Sequence, residues 1–334
     1  MGRLVAEYTK KWLSVDEQVA KLKARGVKVG DRESFRGWLR AVGYYRLTGY
    51  LYPFRESEPF LDAGRTRFRI LNRYRAGTSI EQAAALIDFD RRLRMLVLEG
   101  IERIEISFRM QIGYVLGRQS AFAHTDPVNF VNSFTDAQTD TATGDTLHSK
   151  HEQWIERVKE RQADSDEAFV AHFRNKYDDE MPIWALTEIL ELGHLGRLYS
   201  GLNNSLATEI ATAYGAPSKK MMVSWISSLN YVRNVSAHHA RLFNRKLVSA
   251  PARPRHDQVP LLGHLKDEES AKAVFGVYNA LAVMAYLLRS IDPGSGWNTR
   301  VVELLSFFPE SDCVTTAAMG IPADWAALEL WRSS

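Results

Sequence analysis

An all-α fold is predicted by three features of the sequence. Apolar residues recur at three- and four-residue spacings over long runs, helix-capping signals precede several of these runs, and two-residue alternation is confined to "RTRFRI", beginning at Arg65. At 334 residues and 45% hydrophobic composition, the chain is long enough to bury a sizeable core.

Taken in order, Ser14 with Glu17 forms a capping box ahead of "QVAKLKARG", and Gly26 stands where that helix should end. Thr78 with Glu81 is read as a second capping box. It precedes a run over residues 80–116 that places Leu86, Phe89, Leu93, Leu96, Val97, Ile101, Ile104, Phe108 and Ile112 on one stripe. This run predicts one long amphipathic helix. Further helices are predicted over residues 146–161, 165–177, 182–199, 217–245, 262–290 and 299–307, with residues 249–260 as a loop. The expected organisation is an N-terminal helical and aromatic segment, 1–75, packed on a core of 76–292, followed by a helical tail, 293–334.

The formal charge of +3 is nearly balanced, so any electrostatic signal must be local. The single cysteine, Cys313, excludes an intramolecular disulfide and a cysteine-built metal site. The N-terminus "MGRLVAEYTKKWLS" lacks the long apolar core of a secretory signal, so a cytoplasmic location is expected. The most apolar stretch, residues 273–288, is shorter than a bilayer span and carries Asn279 and two tyrosines; it reads as a buried helix. Neither a cofactor nor a metal is expected. His148, His151 and Glu152 have metal-ligand spacing, but nothing completes a site around them.

The stretch "YVRNVSAHHARLFNR", residues 231–245, holds three arginines, two asparagines and two histidines without one acid. The acid-free window is wider. Residues 210–256 contain no Asp or Glu, where a chain with 40 acids in 334 residues would place about five or six. They do contain Lys219, Lys220, Arg233, Arg241, Arg245, Lys246, Arg253 and Arg255. A solvated helix normally mixes signs, because like charges three or four residues apart repel, so a one-signed basic face favours a polyanion such as RNA. If the helix runs to residue 245, Ser227, Asn230, Asn234, His238, Arg241 and Arg245 share one face, with Arg233 at its margin. Histidine titrates near neutral pH and moves protons, while arginine grips phosphate oxygens with paired hydrogen bonds. Together these supply what metal-free RNA cleavage requires. The spacing alone is weak, since Arg118 and His124 match it too, without the Asn or the basic surroundings.

"RNVSAHHARLFNR" resembles the signature of the AbiD/AbiF-like abortive infection proteins, bacterial phage-defence proteins within the HEPN superfamily. The resemblance extends to "LSVDEQVAKLKARGVKV", "VGYYRLTGYLYPF", "FDRRLRMLVLEGIERIEISFR", "HFRNKYDDEMPIWALTEILELGHLGRLYS" and "MGIPADWAALELW". It implies a HEPN-like helical bundle and a toxin-like endoribonuclease with Arg233, Asn234 and His238 as catalytic motif and His239 as supporting neighbour. On a continuous helix His239 would point about 100° from His238. The resemblance also implies a homodimer whose two motif helices meet in one cleft, RNA as substrate and possible regulator, and control by an antitoxin or a phage trigger. RNA contacts are expected from Arg241, Arg245, Lys246, Arg253, Arg255, Lys219 and Lys220. The alternative is a non-catalytic scaffold that uses the same basic face to bind RNA or an antitoxin.

Two other stretches are weighed. Tyr44, Tyr45, Tyr50 and Tyr52 read as core aromatics more than as base-stacking platforms. "RTRFRILNRYR", with five arginines and no acid, is an RNA-contact candidate. Glu188 and Glu191 are candidate ion-pair partners for the motif arginines.

Overall fold

The computed structural model describes residue 7, residues 9–267 and residues 269–332. Half of the N-terminal stretch read for a secretory signal, residues 1–6 and 8, lies outside the described residues. Two compact units are present, Met1–Arg91 with Phe308–Thr315, and Arg92–Phe307 with Thr316–Ser334. This grouping crosses the sequence positions 75/76 and 292/293, because the first turns of the long helix group with the N-terminal segment and part of the tail joins each unit.

In the first unit, Ser14 and Glu17 form the expected capping box and start α1 (Val15–Ala24). Helices α2 (Arg32–Val42) and α3 (Tyr44–Leu51) follow, the former capped by Asp31, whose carboxylate accepts the Ser34 N–H at 2.7 Å. The aromatic cluster divides. Tyr50 is buried and donates to the Asp90 carboxylate at 2.6 Å, with Leu47, Leu51 and Phe54 also buried, whereas Tyr45 is 77% exposed. "RTRFRI" lies in β2 (Arg65–Tyr74), which pairs antiparallel with β1 (Arg55–Asp62). Arg67, Arg69 and Arg73 are ion-paired to Asp62, Glu58 and Glu56 of β1. The acid-free look of β2 is thus a property of one strand, and its partner strand neutralises three of its four arginines.

The long helix α4 (Ile80–Gly117) is a single 38-residue element. Its capping box sits one residue later than expected: Ser79 Oγ accepts the Gln82 N–H, and Gln82 Oε1 accepts the Ser79 N–H at 3.0 Å. Thr78 instead donates its hydroxyl to Arg75 O at 2.7 Å. Of the nine stripe residues, all but half-buried Leu96 are buried.

Within the second unit, α5 (Asn132–Thr135) precedes a two-residue β-pair and α6 (Lys150–Ala163), which starts four residues later than predicted because Ser149 and Glu152 form its capping box. Helix α7 (Ala168–Tyr177) follows. The helix predicted over 182–199 is broken into α8 (Ile183–Leu186), a 3-10 turn (Thr187–Ile189) and α9 (Leu192–Gly201). Tertiary hydrogen bonds explain the break. Arg161 Nε donates to Ile189 O at 3.2 Å and Arg109 Nε to Leu190 O at 3.1 Å, so these carbonyls are satisfied from outside.

Helices α10 (Asn204–Ala213) and α11 (Lys219–Ala237) come next, and the expected loop follows over residues 249–259, one residue shorter than predicted. The helix predicted over 262–290 is a 3-10 segment (Pro260–Lys266), α12 (Ala271–Phe275) and α13 (Val277–Ile291). The break falls at Gly276, whose extended backbone approaches Met319 O so closely that a Cβ would lie 2.2 Å from it. Helix α13 is buried almost throughout, and among the described residues no helix is long and apolar enough to cross a membrane. Helix α14 (Trp297–Ser306) is sealed to α4 by Trp297 Nε1, which donates to Leu96 O at 2.8 Å.

Candidate active site at the end of α11

Helix α11 begins at Ser218, whose hydroxyl accepts the Met221 N–H at 3.2 Å. It buries Met222, Trp225, Ile226, Leu229, Val232 and Val235. Trp225 Nε1 donates to Ala252 O at 2.9 Å and Ser224 Oγ accepts the Ala252 N–H at 2.9 Å, so the following loop is tied back to the helix.

The helix ends at Ala237, eight residues short of the prediction. His238 is the C-cap, and its N–H donates to Asn234 O at 3.0 Å. His239 is left-handed, with φ 54°. Its N–H reaches Ser236 O and the Ala240 N–H reaches Val235 O, both at 3.0 Å. This is the Schellman arrangement, which satisfies carbonyls of the last turn and usually has glycine where His239 stands. Arg94, buried to 6% exposure, donates from Nη1 to Ala240 O at 3.4 Å and braces the turn. Two expectations are thereby corrected. Arg241 and Arg245 leave the helix, so the polar face running from Ser227 stops at His238, and His239 is displaced by a backbone turn.

Glycines let α9 lie close on α11. A Cβ at Gly193 would stand 3.3 Å from Asn230 Nδ2, and one at Gly196 would stand 2.9 Å from Ile226 Cγ2. The N-cap of α9, Glu191, thereby reaches Arg233: Oε2 lies 3.6 Å from Nη1, with the two side chains 45% and 30% exposed. Arg233 Nη1 also donates to Asn234 Oδ1 at 3.3 Å. Asn234 and His238 are exposed. Glu188 serves a different arginine, lying 3.9 Å from Arg109, which also pairs with Glu105 at 2.6 Å. A half-buried arginine and an exposed amide and imidazole therefore lie on the last turns of one helix, and among the described residues Glu191 is the carboxylate beside the arginine.

The other expected cations are dispersed. Lys219 is half-buried, with Nζ donating to Leu202 O, and burial lowers its pKa. Lys220 is exposed. Arg245 Nε donates to Arg241 O at 2.8 Å, and both side chains are half-buried. Lys246 is exposed and stands 4.6 Å above the Phe275 ring. Arg253 donates to Leu265 O at 2.6 Å, and exposed Arg255 is paired to Asp257 at 2.9 Å, just past the acid-free window.

The competing motifs have structural uses. Arg118 is paired to Glu209 at 2.7 Å, while His124 is buried against Trp154, and burial lowers its pKa to about 4. His151 is buried with Nε2 2.8 Å from His124 O, Glu152 is spent in a capping box, and exposed His148 lies 2.7 Å from Glu156. Sequence reasoning missed Arg94 as a brace of the motif turn. Its signal was a charged residue one position after Leu93, inside the apolar pattern of α4.

With its fold and this helix end defined, the chain is a mostly helical protein with an arginine–asparagine–histidine cluster at a Schellman turn. The family model described as Abi-like protein matches residues 37–244, well over half of the chain and through the motif turn, and the chain belongs to that family. No curated protein and no solved structure matches it.

Proposed function

We propose that this Abi-like protein is a metal-independent endoribonuclease of the HEPN type, acting in the cytoplasm in abortive-infection defence against phage. The observation that carries this reading is the gathering of Arg233, Asn234 and His238 at one accessible helix end, inside 47 residues that contain no acid. Arg233 holds a phosphate oxygen and stabilises the charge that builds on phosphorus during transfer. His238 moves the proton. The RNA 2′-hydroxyl loses its proton and its oxygen bonds to phosphorus, the bond from phosphorus to the 5′-oxygen breaks, and that oxygen takes up a proton. The products are a 2′,3′-cyclic phosphate and a 5′-hydroxyl.

With His238 as the proton-transfer group of each motif, a twofold dimer bringing two α11 ends together supplies an acid and a base at once. Glu191 holds Arg233 at 3.6 Å in the free protein, so RNA binding exchanges a carboxylate for a phosphate on the same guanidinium. His238→Ala and Arg233→Ala should each lower the cleavage rate by roughly 10² to 10⁴ while RNA affinity changes far less, because other cations share the backbone contacts. Asn234→Ala should fall between these and the unaltered protein. Folded variants of His238 and Arg233 that cleave at the original rate would remove the assignment and leave a binding scaffold.

A further inference from the structure

The first unit carries a second cationic recess, built from elements far from α11 in sequence. A cavity of about 250 Å³ is lined by Lys21 and Arg25 at the end of α1, Tyr44, Tyr45 and Thr48 of α3, Arg55 and Asn72 of the hairpin, and Lys10. Among the described residues, no Asp or Glu lines it. Elsewhere in the same unit several arginines are neutralised: Arg36 by Asp16 and Glu33, Arg67, Arg69 and Arg73 by the acids of β1, and Arg91 by Asp88. Among the described residues, Lys10, Lys21, Arg25 and Arg55 have no carboxylate ion pair.

Two buried polar atoms beside the recess also lack hydrogen-bond partners, Arg55 Nε and the hydroxyl of Tyr74, a residue only 3% exposed. The Arg55 guanidinium stands 5.7 Å from the Tyr74 ring. Arg25 and Arg55 both act electrostatically on Tyr44, whose hydroxyl is raised above its ordinary pKa by burial and pulled back by these cations. The dipole of α1 favours Lys21 at its last turn but does not account for Arg55 or Lys10, which lie on other segments. Like charges converging on one recess repel one another, so the arrangement calls for an anion.

Tyr44 and Tyr45 form an edge-to-face pair with centroids 5.9 Å apart, and the largely exposed Tyr45 ring offers a stacking face at the rim. We propose that this recess binds one phosphorylated nucleotide unit, its phosphate held by Lys21, Arg25 and Arg55 and its base stacked on Tyr45. The same chemistry is presented by a free mononucleotide and by one residue of an RNA strand. Binding here requires no cleavage, so it stands or falls separately from the α11 chemistry.

The test uses the full chain carrying His238→Ala, which keeps RNA intact, with AMP, adenosine and a short single-stranded oligoadenylate as calorimetric probes. Saturable AMP binding, weaker for adenosine by roughly tenfold or more and lost in Lys21→Ala/Arg25→Ala, would assign a free-nucleotide site. Oligoadenylate binding that those substitutions and Tyr45→Ala each weaken by roughly tenfold, without AMP binding, would assign a strand site. If the double variant does not fold, Tyr45→Ala alone decides, since its ring is largely exposed. Affinities for AMP and oligoadenylate that are unchanged in every folded variant, or the absence of binding by both, would overturn the proposal.

Discussion

His239 shows what a single position contributes. Its left-handed backbone, φ 54°, lets the chain leave α11 while two amides close on Ser236 and Val235, so His238 is presented at the exposed helix end. A left-handed non-glycine residue costs on the order of 1 kcal/mol or more, which glycine would not incur. His239→Gly should keep or slightly raise stability, whereas a β-branched His239→Val should lower it by about 1–2 kcal/mol in denaturant melts. Equal stabilities for the two variants would refute the turn geometry. His124 supplies a pH signature. Its folded pKa of about 4 is depressed by burial below the ordinary histidine value, so the unfolded chain takes up the proton first as pH falls. The folded state should therefore lose stability between about pH 6.5 and pH 4, by roughly 3 kcal/mol, with His194 and His264 adding in the same direction because burial lowers them too. His124→Gln should flatten that part of the stability profile. The identities of Arg233, Asn234 and His238 were legible in the sequence. The turn at His239 was not, because helical periodicity in Leu242 continues after the backbone has left the helix, and Leu242 is buried all the same.

Among the elements, the α9–α11 contact positions the acid that faces the motif. Gly196 stands where a Cβ would lie 2.9 Å from Ile226, so Gly196→Val should push the helices apart, cost roughly 1–3 kcal/mol and separate Glu191 from Arg233. Its counterpart Glu191→Gln should leave stability within about 1 kcal/mol, since the pair is half-exposed, and tighten RNA binding a few-fold by releasing the guanidinium. Looser RNA binding in Glu191→Gln would mean that the carboxylate supports Arg233 instead of competing for it. The sequence revealed the long α4 well, since its apolar stripe is unbroken and its burial follows the 3.6-residue period. It revealed the 182–199 segment poorly. That stretch is helical by pattern, but Arg109 and Arg161 satisfy its carbonyls from other helices, and such tertiary hydrogen bonds leave no local trace. The "GHLG" spacing in α9 could have signalled close helix packing.

At the scale of the whole molecule, a formal charge of +3 conceals a local asymmetry: the second unit carries its acid-free window around α11, and the first gathers unpaired cations in one recess. RNA affinity should therefore fall steeply with salt between about 50 and 200 mM, as each neutralised phosphate releases counterions. Arg253→Glu/Arg255→Glu should lower that slope less than the sequence alone suggests, because Arg255 is already paired to Asp257 and Arg253 donates to Leu265 O. A composite site further predicts a homodimer at micromolar concentration by sedimentation, and a fully active monomer would contradict it. The most direct measurement is end-group analysis of RNA incubated with the purified protein in excess EDTA, alongside the His238→Ala variant. The account predicts 2′,3′-cyclic phosphate and 5′-hydroxyl ends from the unaltered protein and a loss of roughly 10² or more in rate from the variant. Cleavage that strictly requires a divalent metal, or equal cleavage by a folded His238→Ala protein, would contradict it.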